Sequence, residues 1–251
     1  MSNYYKFFPV ERLDYFSNEQ LRFTQPIDLN DPFECLPQKP NLEELTNLIN
    51  SLISPNSDKQ KEQKVKEKFD YVFLDNLYKS QYEKVNKDIG IFSLSKNWNN
   101  ALMWAHYTIS HKGFCIGFDS KHNYFSDYIS SDGNSSKVIK EVVYSENRVK
   151  IPMVLGQEKL NYEPYITKSL DWRYEEEIRI ISSLNSSINK ILKKPFDIYL
   201  FKIPHDCINE IILGANIELQ NETEIRKFAL KKNIKVYKAK ISDTKYDMER
   251  E

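Results

Sequence analysis

The order of helical and strand-like patterns along the chain limits its fold more than any other feature. Apolar residues recur at helical spacing between residues 41 and 87. Short apolar runs such as Phe114–Phe118 and Ile208–Leu213 follow later, and runs of this kind form buried strands. Helices gathered early and strands gathered late do not give a regular β-α alternation, so we predict an α+β fold. The prediction is a single domain over residues 1–251, with a mixed or split β-sheet flanked by helices and a helical insert at about 41–88.

Composition argues against several functional classes. Apolar residues make up 40% and aromatic residues 13% of the chain, which is enough for a packed core. The chain has only six glycines and contains neither a GxGxxG nor a GxxxxGK[ST] motif, so a Rossmann or P-loop nucleotide enzyme is disfavoured. The 36 basic and 36 acidic residues cancel, which gives no support for a nucleic-acid surface. Protein and nucleic-acid targets are left open.

Cysteine and histidine usage predicts no tightly bound metal. Cys35, Cys115 and Cys207 are far apart and odd in number, so they indicate neither a disulfide framework nor a zinc site. The histidines lack metal-ligand spacing, and no aspartate-rich calcium loop is present. The sequence shows no signal-peptide pattern and no run near the ~18 apolar residues of a membrane span. We therefore expect a cytoplasmic protein with no membrane partner.

The segment Glu175–Ser182 predicts a row of polar side chains. Side chains alternate along a strand, so Glu175, Glu177 and Arg179 would share one face while apolar side chains occupy the other. Two carboxylates and a guanidinium in a row can hold a hydroxyl, polarise a sugar or bind an anion. Glu175 and Glu177 are therefore candidate catalytic residues. The structural alternative is an ion pair on a solvated strand face.

Two further motifs supply candidate site residues. Ser93 and Ser95 share one face of a predicted strand, where they could position a ribose or phosphate or simply form its polar side. His106 lies in a predicted helix and could act as a general base, although packed histidines are also common. Trp104 and Tyr107 lie three residues apart on the same helix, a spacing that suits core packing as well as a substrate contact.

A polar turn near residue 30 has two interpretations. Asn30, Asp31 and Glu34 could cap and shape the turn, or they could line a cleft opposite Glu175 and Glu177. In the second case Asp31 could join the two glutamates in a loose magnesium site, which would suit a hydrolase.

Three segments together resemble a known family. The first is Phe23-Thr24-Gln25-Pro26 leading to Asn30-Asp31-Pro32-Phe33-Glu34. The second is Ser93-Leu94-Ser95 with Met103-Trp104-Ala105-His106-Tyr107 and His111-Lys112-Gly113-Phe114-Cys115. The third is Lys168 with Trp172-Arg173-Tyr174-Glu175-Glu176-Glu177-Ile178-Arg179. With a late Ile212-Leu213-Gly214 element, they resemble the bacterial family known as domain of unknown function 2971 over nearly the whole chain. The resemblance implies no assigned activity. Lys168 and Trp172 are further candidate residues because they lie just before the predicted Glu175–Arg179 row.

The order of the polar elements also resembles the ADP-ribosyltransferases. In that superfamily an early strand residue contacts NAD, a serine strand supports the nicotinamide pocket, and a glutamate bonds the ribose hydroxyl and stabilises the oxocarbenium-like transition state. The matching positions here are Tyr5, Lys6 or Arg22 for the first element, Ser93 and Ser95 for the second, and Glu175 or Glu177 for the third. The resemblance implies a cytosolic bacterial transferase that acts on a nucleotide-type substrate and consumes NAD, and by analogy a toxin or phage-defence effector.

Two other functions remain open. One is a nuclease or other hydrolase that uses His106 with Glu175, Glu177 and Arg179, and the other is a non-catalytic binding or regulatory module. The candidate substrate-binding residues are Tyr5, Lys6, Arg22, Asn30, Asp31, Glu34, Ser93, Ser95, Trp104, Tyr107, Lys168, Trp172 and Arg179. NAD chemistry would need a deep cleft that unites the serines, the glutamates and an aromatic residue, whereas a nuclease would need an open basic groove.

Overall fold

The computed structural model describes residues 2–39, 41, 43–44, 46–47, 50, 71–131, 136–150 and 161–251. Of the predicted helical insert, residues 71–88 do form a helix. Leu42, Leu45, Leu48 and Ile49, whose spacing predicted the first part of the insert, lie outside the described residues, as does the stretch 51–70.

The described helices are short except for two. They are α1 Tyr15–Asn18, α2 Tyr71–Asp88, α3 Ala101–Tyr107, α4 Glu163–Ile166 and α5 Leu219–Lys232. The described strands are β1 Asn3–Phe8, β2 Gln20–Phe23, β3 Ile89–Ser95, β4 Phe114–Asp119, β5 Tyr128–Ile129, β6 Ser136–Glu141, β7 Val143–Ser145, β8 Thr167–Ser169, β9 Glu177–Ser183, β10 Asn189–Ile191, β11 Ile198–Lys202, β12 Ile208–Leu213, β13 Lys235–Ile241 and β14 Met248–Arg250. Over these residues no helix is long and apolar enough to cross a lipid bilayer.

The main sheet is mixed, with the strand order β14-β13-β12-β4-β1-β3-β9-β6-β5 over the described residues. Its neighbours pair antiparallel except β12 and β13, which are parallel and are joined through α5. A parallel pair needs such a crossover because the chain must return to the same end of the sheet. Strands β10, β11 and β2 form a smaller sheet, and β7 pairs with β8. The α+β prediction with a mixed sheet is confirmed.

The sheet is split beside its centre. Strand β3 pairs with β9 along its whole length, from Ile89 opposite Ser183 to Ser95 opposite Glu177. Its register with β1, in contrast, is the one position at which Tyr5 faces Ser95. The two strands therefore touch at one end and leave a gap between them further along. This gap is where the candidate site forms.

Apolar residues cover both faces of the central strands. In β4 the side chains of Phe114, Cys115, Ile116 and Phe118 are all fully buried. A strand buried on both faces reads as a continuous apolar run, which explains why the sequence predicts β4 without any alternation. Aromatic rings supply much of this core through stacked pairs.

The expected separation of early helices from late strands is wrong. Strand β1 begins at Asn3 and lies in the middle of the main sheet, and α5 is a late helix of 14 residues. The α+β prediction is nevertheless correct, because most strands of the main sheet pair antiparallel, whatever the order of the elements along the chain.

Candidate functional site

A cavity of about 270 Å³ lies in the split between β1 and β3. Predicted site residues that line it are Tyr5, Lys6, Arg22, Asn30, Glu34, Ser93, Ser95, Tyr107, Lys168, Glu175 and Glu177. The other lining residues are Phe7, Thr24, Asp28, Leu29, Ile91, Leu94 and Met103. Residues far apart in sequence thus meet in one cleft, which contains the serines, the glutamates and aromatic side chains.

The strand register explains why the three polar motifs meet. Tyr5 on β1 faces Ser95 on β3, and Ser95 faces Glu177 on β9. Residues paired across neighbouring strands project their side chains to the same face of the sheet. Tyr5, Ser95 and Glu177 therefore form one row across three adjacent strands.

The prediction of a continuous strand from Glu175 to Ser182 is wrong at its start. Glu175 ends the 3-10 helix Leu170–Glu175, and Glu176 has a left-handed backbone with φ 45°. The strand begins at Glu177. The carboxyl groups at positions 175 and 177 nevertheless converge, because Lys168 contacts both. The turn at Glu176, and not strand alternation, thus brings Glu175 to the site.

The two serines hold the glutamates in place. Ser95 Oγ donates a hydrogen bond to the backbone carbonyl oxygen of Glu175, at 2.6 Å. The Ser93 hydroxyl bonds the carboxylate of Glu177. These contacts give the Ser-x-Ser motif a positioning role for the glutamates. They also occupy hydroxyl groups that the sequence analysis assigned to a ribose or phosphate.

Lys168 is the centre of a buried ion cluster. Its Nζ lies 2.7 Å from Glu34 Oε1, 2.5 Å from Glu175 Oε2 and 3.4 Å from Glu177 Oε2. The same ammonium lies 4.6 Å from the ring centre of Trp172, a cation-π contact. Burial disfavours the charged amine, but the surrounding carboxylates outweigh it and raise the pKa of Lys168. Lys168 is therefore a fixed cation.

Arg179 neutralises the same cluster from the other side. Its Nε and Nη2 donate to the two carboxylate oxygens of Glu177 at 2.8 and 3.0 Å, and its Nη1 donates to the carbonyl oxygen of Tyr165 at 2.7 Å. Nη2 also lies 3.0 Å from Glu34 Oε1. Glu177 and Arg179 are 4% and 0% exposed. The alternative of a solvated ion-pair row is therefore wrong.

The two glutamates titrate in opposite directions. Burial raises the pKa of Glu175, and the nearby charge of Glu177 adds to the rise while Lys168 opposes it. Burial also disfavours ionised Glu177, but the Arg179 guanidinium and Lys168 outweigh it, so that its pKa falls well below the usual value. A carboxyl pair with pKa values pushed apart can supply a proton-transfer group next to a permanently charged one.

Tyr107 links Glu175 to the polar turn. Its hydroxyl donates to Glu175 Oε1, and the Asn30 side chain bonds the same hydroxyl. Burial, and then the charge of Glu175, raise the pKa of Tyr107. The phenol therefore stays neutral and remains a hydrogen-bond donor to Glu175. This contact fixes one oxygen of Glu175 while Lys168 holds the other.

Two more cations border the cavity. The Lys6 ammonium donates to the carbonyl oxygen of Ser93 at 2.8 Å and lies 4.9 Å from the ring centre of Phe92. Arg22 forms an ion pair with Asp28. The Nε atom of Arg22 is buried and makes no hydrogen bond within the described part of the chain. Lys6 therefore adds positive charge to the cavity wall, whereas the charge of Arg22 is paired with that of Asp28.

Some predicted site residues lie outside the cavity lining. His106 is exposed, and its Nδ1 lies 3.0 Å from the Tyr174 hydroxyl. Trp104 is fully buried; its Nε1 donates to the Trp98 carbonyl oxygen at 2.7 Å, and its ring packs on Phe7. The assignment of Trp104 to substrate binding is therefore wrong, since its side chain belongs to the core.

The other predicted site residues that do not line the cavity contact the site indirectly. Trp172 and Arg179 touch the ion cluster but do not line the cavity. Asp31 accepts a hydrogen bond from the Phe33 backbone N–H at 2.9 Å, so it stabilises the turn that presents Glu34. It lines a neighbouring cavity of about 280 Å³, which shares Glu34 and Lys168 with the first.

The carboxylates of the cleft are already paired with protein cations. Glu175 and Glu177 are bound by Lys168 and Arg179, and Asp31 bonds a backbone N–H. Among the described residues, no group of three or more His, Cys, Asp or Glu side chains has the arrangement of a metal site. A magnesium ion would have to displace the lysine, so the geometry disfavours the Asp31, Glu175 and Glu177 combination. The expected absence of a tightly bound metal stays a prediction.

Sequence reasoning missed a second buried polar cluster on β12. Glu210 accepts hydrogen bonds from the Tyr5 hydroxyl at 3.0 Å and from Arg250 Nη1 at 2.8 and 2.9 Å. Gly117 lies on β4, between Tyr5 on β1 and Glu210 on β12. A Cβ atom at this position would come within 2.8 Å of Glu210 Cγ. The sequence does contain one indication of this cluster, namely a glutamate inside the apolar run Ile208–Leu213, because a charged residue in a buried strand needs a partner. The cluster anchors the Tyr5 side of the row.

The lowered pKa of Glu177 predicts a loss of stability in acid. The folded state favours its ionised form, so its contribution is full above the ordinary pKa of 4.5 and is lost as pH falls below that value. Glu175 acts in the opposite sense, because its pKa is raised. We expect the free energy of unfolding to fall more steeply from about pH 5 to about pH 3 in the wild type than in Glu177→Gln. Denaturant titrations at each pH measure this, and equal slopes would contradict it.

Comparison with known proteins gives a family without an assigned activity. The model of the family described as "Protein of unknown function (DUF2971)" matches residues 103–180. This segment contains Tyr107, Lys168, Glu175, Glu177 and Arg179. The match confirms the family resemblance over this part of the chain. No curated protein and no solved structure gives a significant match.

Proposed function

We propose that this protein cleaves the N-glycosidic bond of a nucleotide such as NAD, as a transferase or hydrolase of the ADP-ribosyltransferase-like kind. The observation that carries the proposal is the glutamate pair. Glu175, with a raised pKa, and ionised Glu177 line one cavity beside a strand that carries Ser93 and Ser95. A proton acceptor beside a fixed negative charge suits a reaction in which positive charge develops at a sugar carbon.

The charge of the cluster supports this chemistry. Glu34, Glu175 and Glu177 carry three carboxylates, whereas Lys168 and Arg179 supply two cations. When Glu175 is ionised, one negative charge is left in excess at the cavity wall. In a site shielded from water, such a charge stabilises an oxocarbenium-like centre more than the neutral ground state.

Glu175 would act as the general base. A water molecule or an acceptor hydroxyl attacks the anomeric carbon while the bond to nicotinamide breaks, and Glu175 accepts the proton of the attacking group. A carboxylate with a raised pKa is a better base near neutral pH than an ordinary one. Tyr107 and Lys168 would keep its carboxylate in place.

Two features suit the rest of a nucleotide. Lys6 and Arg22 line the cavity and could pair with phosphate oxygens. The neighbouring cavity contains Phe33, which is 60% exposed and has the Arg148 guanidinium 5.0 Å from its ring centre. An exposed ring of this kind can stack on a base. Each cavity is small for a dinucleotide, but the two adjoin through Glu34 and Lys168.

The proposed setting is the cytoplasm, because Cys35, Cys115 and Cys207 are unpaired thiols. By analogy with other NAD-consuming proteins, the biological role would be that of a toxin or a phage-defence effector. The nuclease alternative is less well supported, because exposed His106 does not line the cavity with the glutamates.

The test is release of nicotinamide from NAD by the purified protein. We expect the wild type to release it and Glu175→Gln to be slower by about 10²–10⁴-fold, the usual contribution of a positioned general base. Glu176→Gln is the matched control, because its side chain is exposed and one position away. It should keep wild-type activity.

Two results would count against the proposal. One is a folded wild-type protein that neither binds NAD nor releases nicotinamide. The other is equal activity of Glu175→Gln and the wild type. Binding of NAD without any cleavage would instead favour the non-catalytic module, in which the paired charges hold a ligand and do not react.

A further inference from the structure

Lys6 has an unusual environment for a lysine. Its side chain reaches from β1 toward β3 across the split, where its ammonium donates to the Ser93 carbonyl oxygen. Within the described residues, no carboxylate oxygen lies within the 4.0 Å ion-pair distance of this nitrogen, whereas Lys168 has three such partners. Lys6 nevertheless lines the same cavity as Glu175 and Glu177.

The surroundings of Lys6 lower its pKa and so raise the fraction of neutral amine. Burial lowers the pKa of Lys6 to about 8, although the more distant carboxylates of Glu177 and Glu175 act in the opposite direction. Lys168 and Arg12 add smaller lowering effects. At pH 7 roughly one such amine in ten is unprotonated, against fewer than one in a thousand for an ordinary lysine. Only the unprotonated amine has the lone pair needed for attack on carbon.

We propose that Lys6 is a nucleophilic amine that forms an imine with a sugar aldehyde bound in the cavity. The geometry carries this assignment: an amine without an ion-pair partner lines a cavity that also holds a carboxyl group able to exchange protons. Lysines that form imines occupy surroundings of this type, because desolvation frees the amine. The activity would be separate from cleavage of a glycosidic bond.

Imine formation on Lys6 needs no proton carrier other than Glu175, which lines the same cavity. The Lys6 nitrogen attacks the aldehyde carbon, and the C=O bonding pair moves to the oxygen, which takes a proton from Glu175. The nitrogen then returns one proton to the Glu175 carboxylate, which gives the neutral carbinolamine. Glu175 next protonates the hydroxyl group, which leaves as water while the nitrogen lone pair forms the C=N bond, and the second nitrogen proton goes back to the Glu175 carboxylate. The net change is amine plus aldehyde to imine plus water, and no oxidant or reductant is needed.

The ligand class follows from the cavity wall. The carboxylate of Glu175 and the side-chain amide of Asn30 line the cavity and suit the hydroxyl groups of a sugar, and the Nε of Arg22 is a donor without a partner among the described residues. A pentose phosphate in its open aldehyde form presents both a carbonyl carbon and an anionic group. Sugars released by glycosidic cleavage also contain such an aldehyde, but the inference does not depend on that reaction.

The experiment is reductive trapping with ribose 5-phosphate and cyanoborohydride, followed by peptide mapping by mass spectrometry. We expect wild-type protein at pH 7 to gain one reduced pentose phosphate on Lys6, with labelling about a hundred-fold above that of exposed Lys112, the ratio of the two unprotonated fractions. Labelling of Lys6 should increase as pH rises through about 8. Lys6→Arg keeps the positive charge but has no nucleophilic amine, so the specific adduct should disappear; Lys112→Arg should keep it.

The mapping of the wild type decides the result even if Lys6→Arg folds poorly. Preferential labelling of Lys6 supports the inference. Labelling of Lys6 no greater than that of Lys112, or a preferred adduct on another lysine such as Lys168, overturns it. Nicotinamide release is measured separately, so loss of either activity leaves the other result interpretable.

Discussion

Replacement of Arg179 by methionine is expected to lower the free energy of unfolding by about 3–5 kcal/mol, the usual cost of removing one partner of a buried ion pair. Arg179 is fully buried and binds both oxygens of Glu177 and one oxygen of Glu34. Without it, Lys168 alone would have to compensate three carboxylates. Equilibrium denaturation with urea measures the change.

Two variants serve as comparisons for Arg179→Met. Arg226→Met removes an exposed partner of Glu222, and it should change stability by no more than about 1 kcal/mol. Arg179→Lys should recover only part of the loss, because an ammonium cannot make the paired contacts of a guanidinium. A loss of less than about 1 kcal/mol in Arg179→Met would show that the cluster adds little to stability.

Trp104→Ala should lower the free energy of unfolding by about 3–5 kcal/mol, as expected when a buried tryptophan leaves a cavity. Its side chain is 0% exposed, packs edge-to-face on Phe7 with ring centres 5.2 Å apart, and anchors the Trp98 carbonyl. The measurement is denaturant unfolding, together with a binding assay of the folded fraction with NAD, the proposed substrate.

The comparison for Trp104→Ala is Tyr246→Ala, which removes a fully exposed aromatic ring and should change stability by no more than about 0.5 kcal/mol. Normal stability with loss of NAD binding in Trp104→Ala would contradict the core assignment. That result would restore the substrate-binding role that the sequence suggested.

Local patterns were sufficient to predict part of the site. Alternation within β9 places Glu177 and Arg179 on one face, and the structure joins them by two hydrogen bonds. The Ser-x-Ser alternation of β3 likewise brings Ser93 and Ser95 to the cavity. Both results rest on the two-residue period of a strand, which depends on no distant contact.

The features that sequence reasoning missed depend on tertiary contacts. Glu175 reaches the site through a left-handed turn at Glu176, a conformation that is uncommon for glutamate and has no clear sequence signal. The i, i+3 pair Trp104 and Tyr107 fits both a core face and a ligand face of a helix. Only the packing in the structure distinguishes these two roles, since Trp104 is in the core while Tyr107 contacts Glu175.

The place of β1 in the sheet has a consequence for how the protein is made. This strand comes before both of its partners in the chain, β3 and β4, and β4 follows it by more than 100 residues. The ion cluster around Lys168 also joins residues that are far apart in sequence, since Lys168 contacts both Glu34 and Glu177. Such contacts form late in folding because long loops must close first. A nascent chain that ends before β9 lacks Glu177 and Arg179, so the charged wall of the cavity cannot form until this strand has been made.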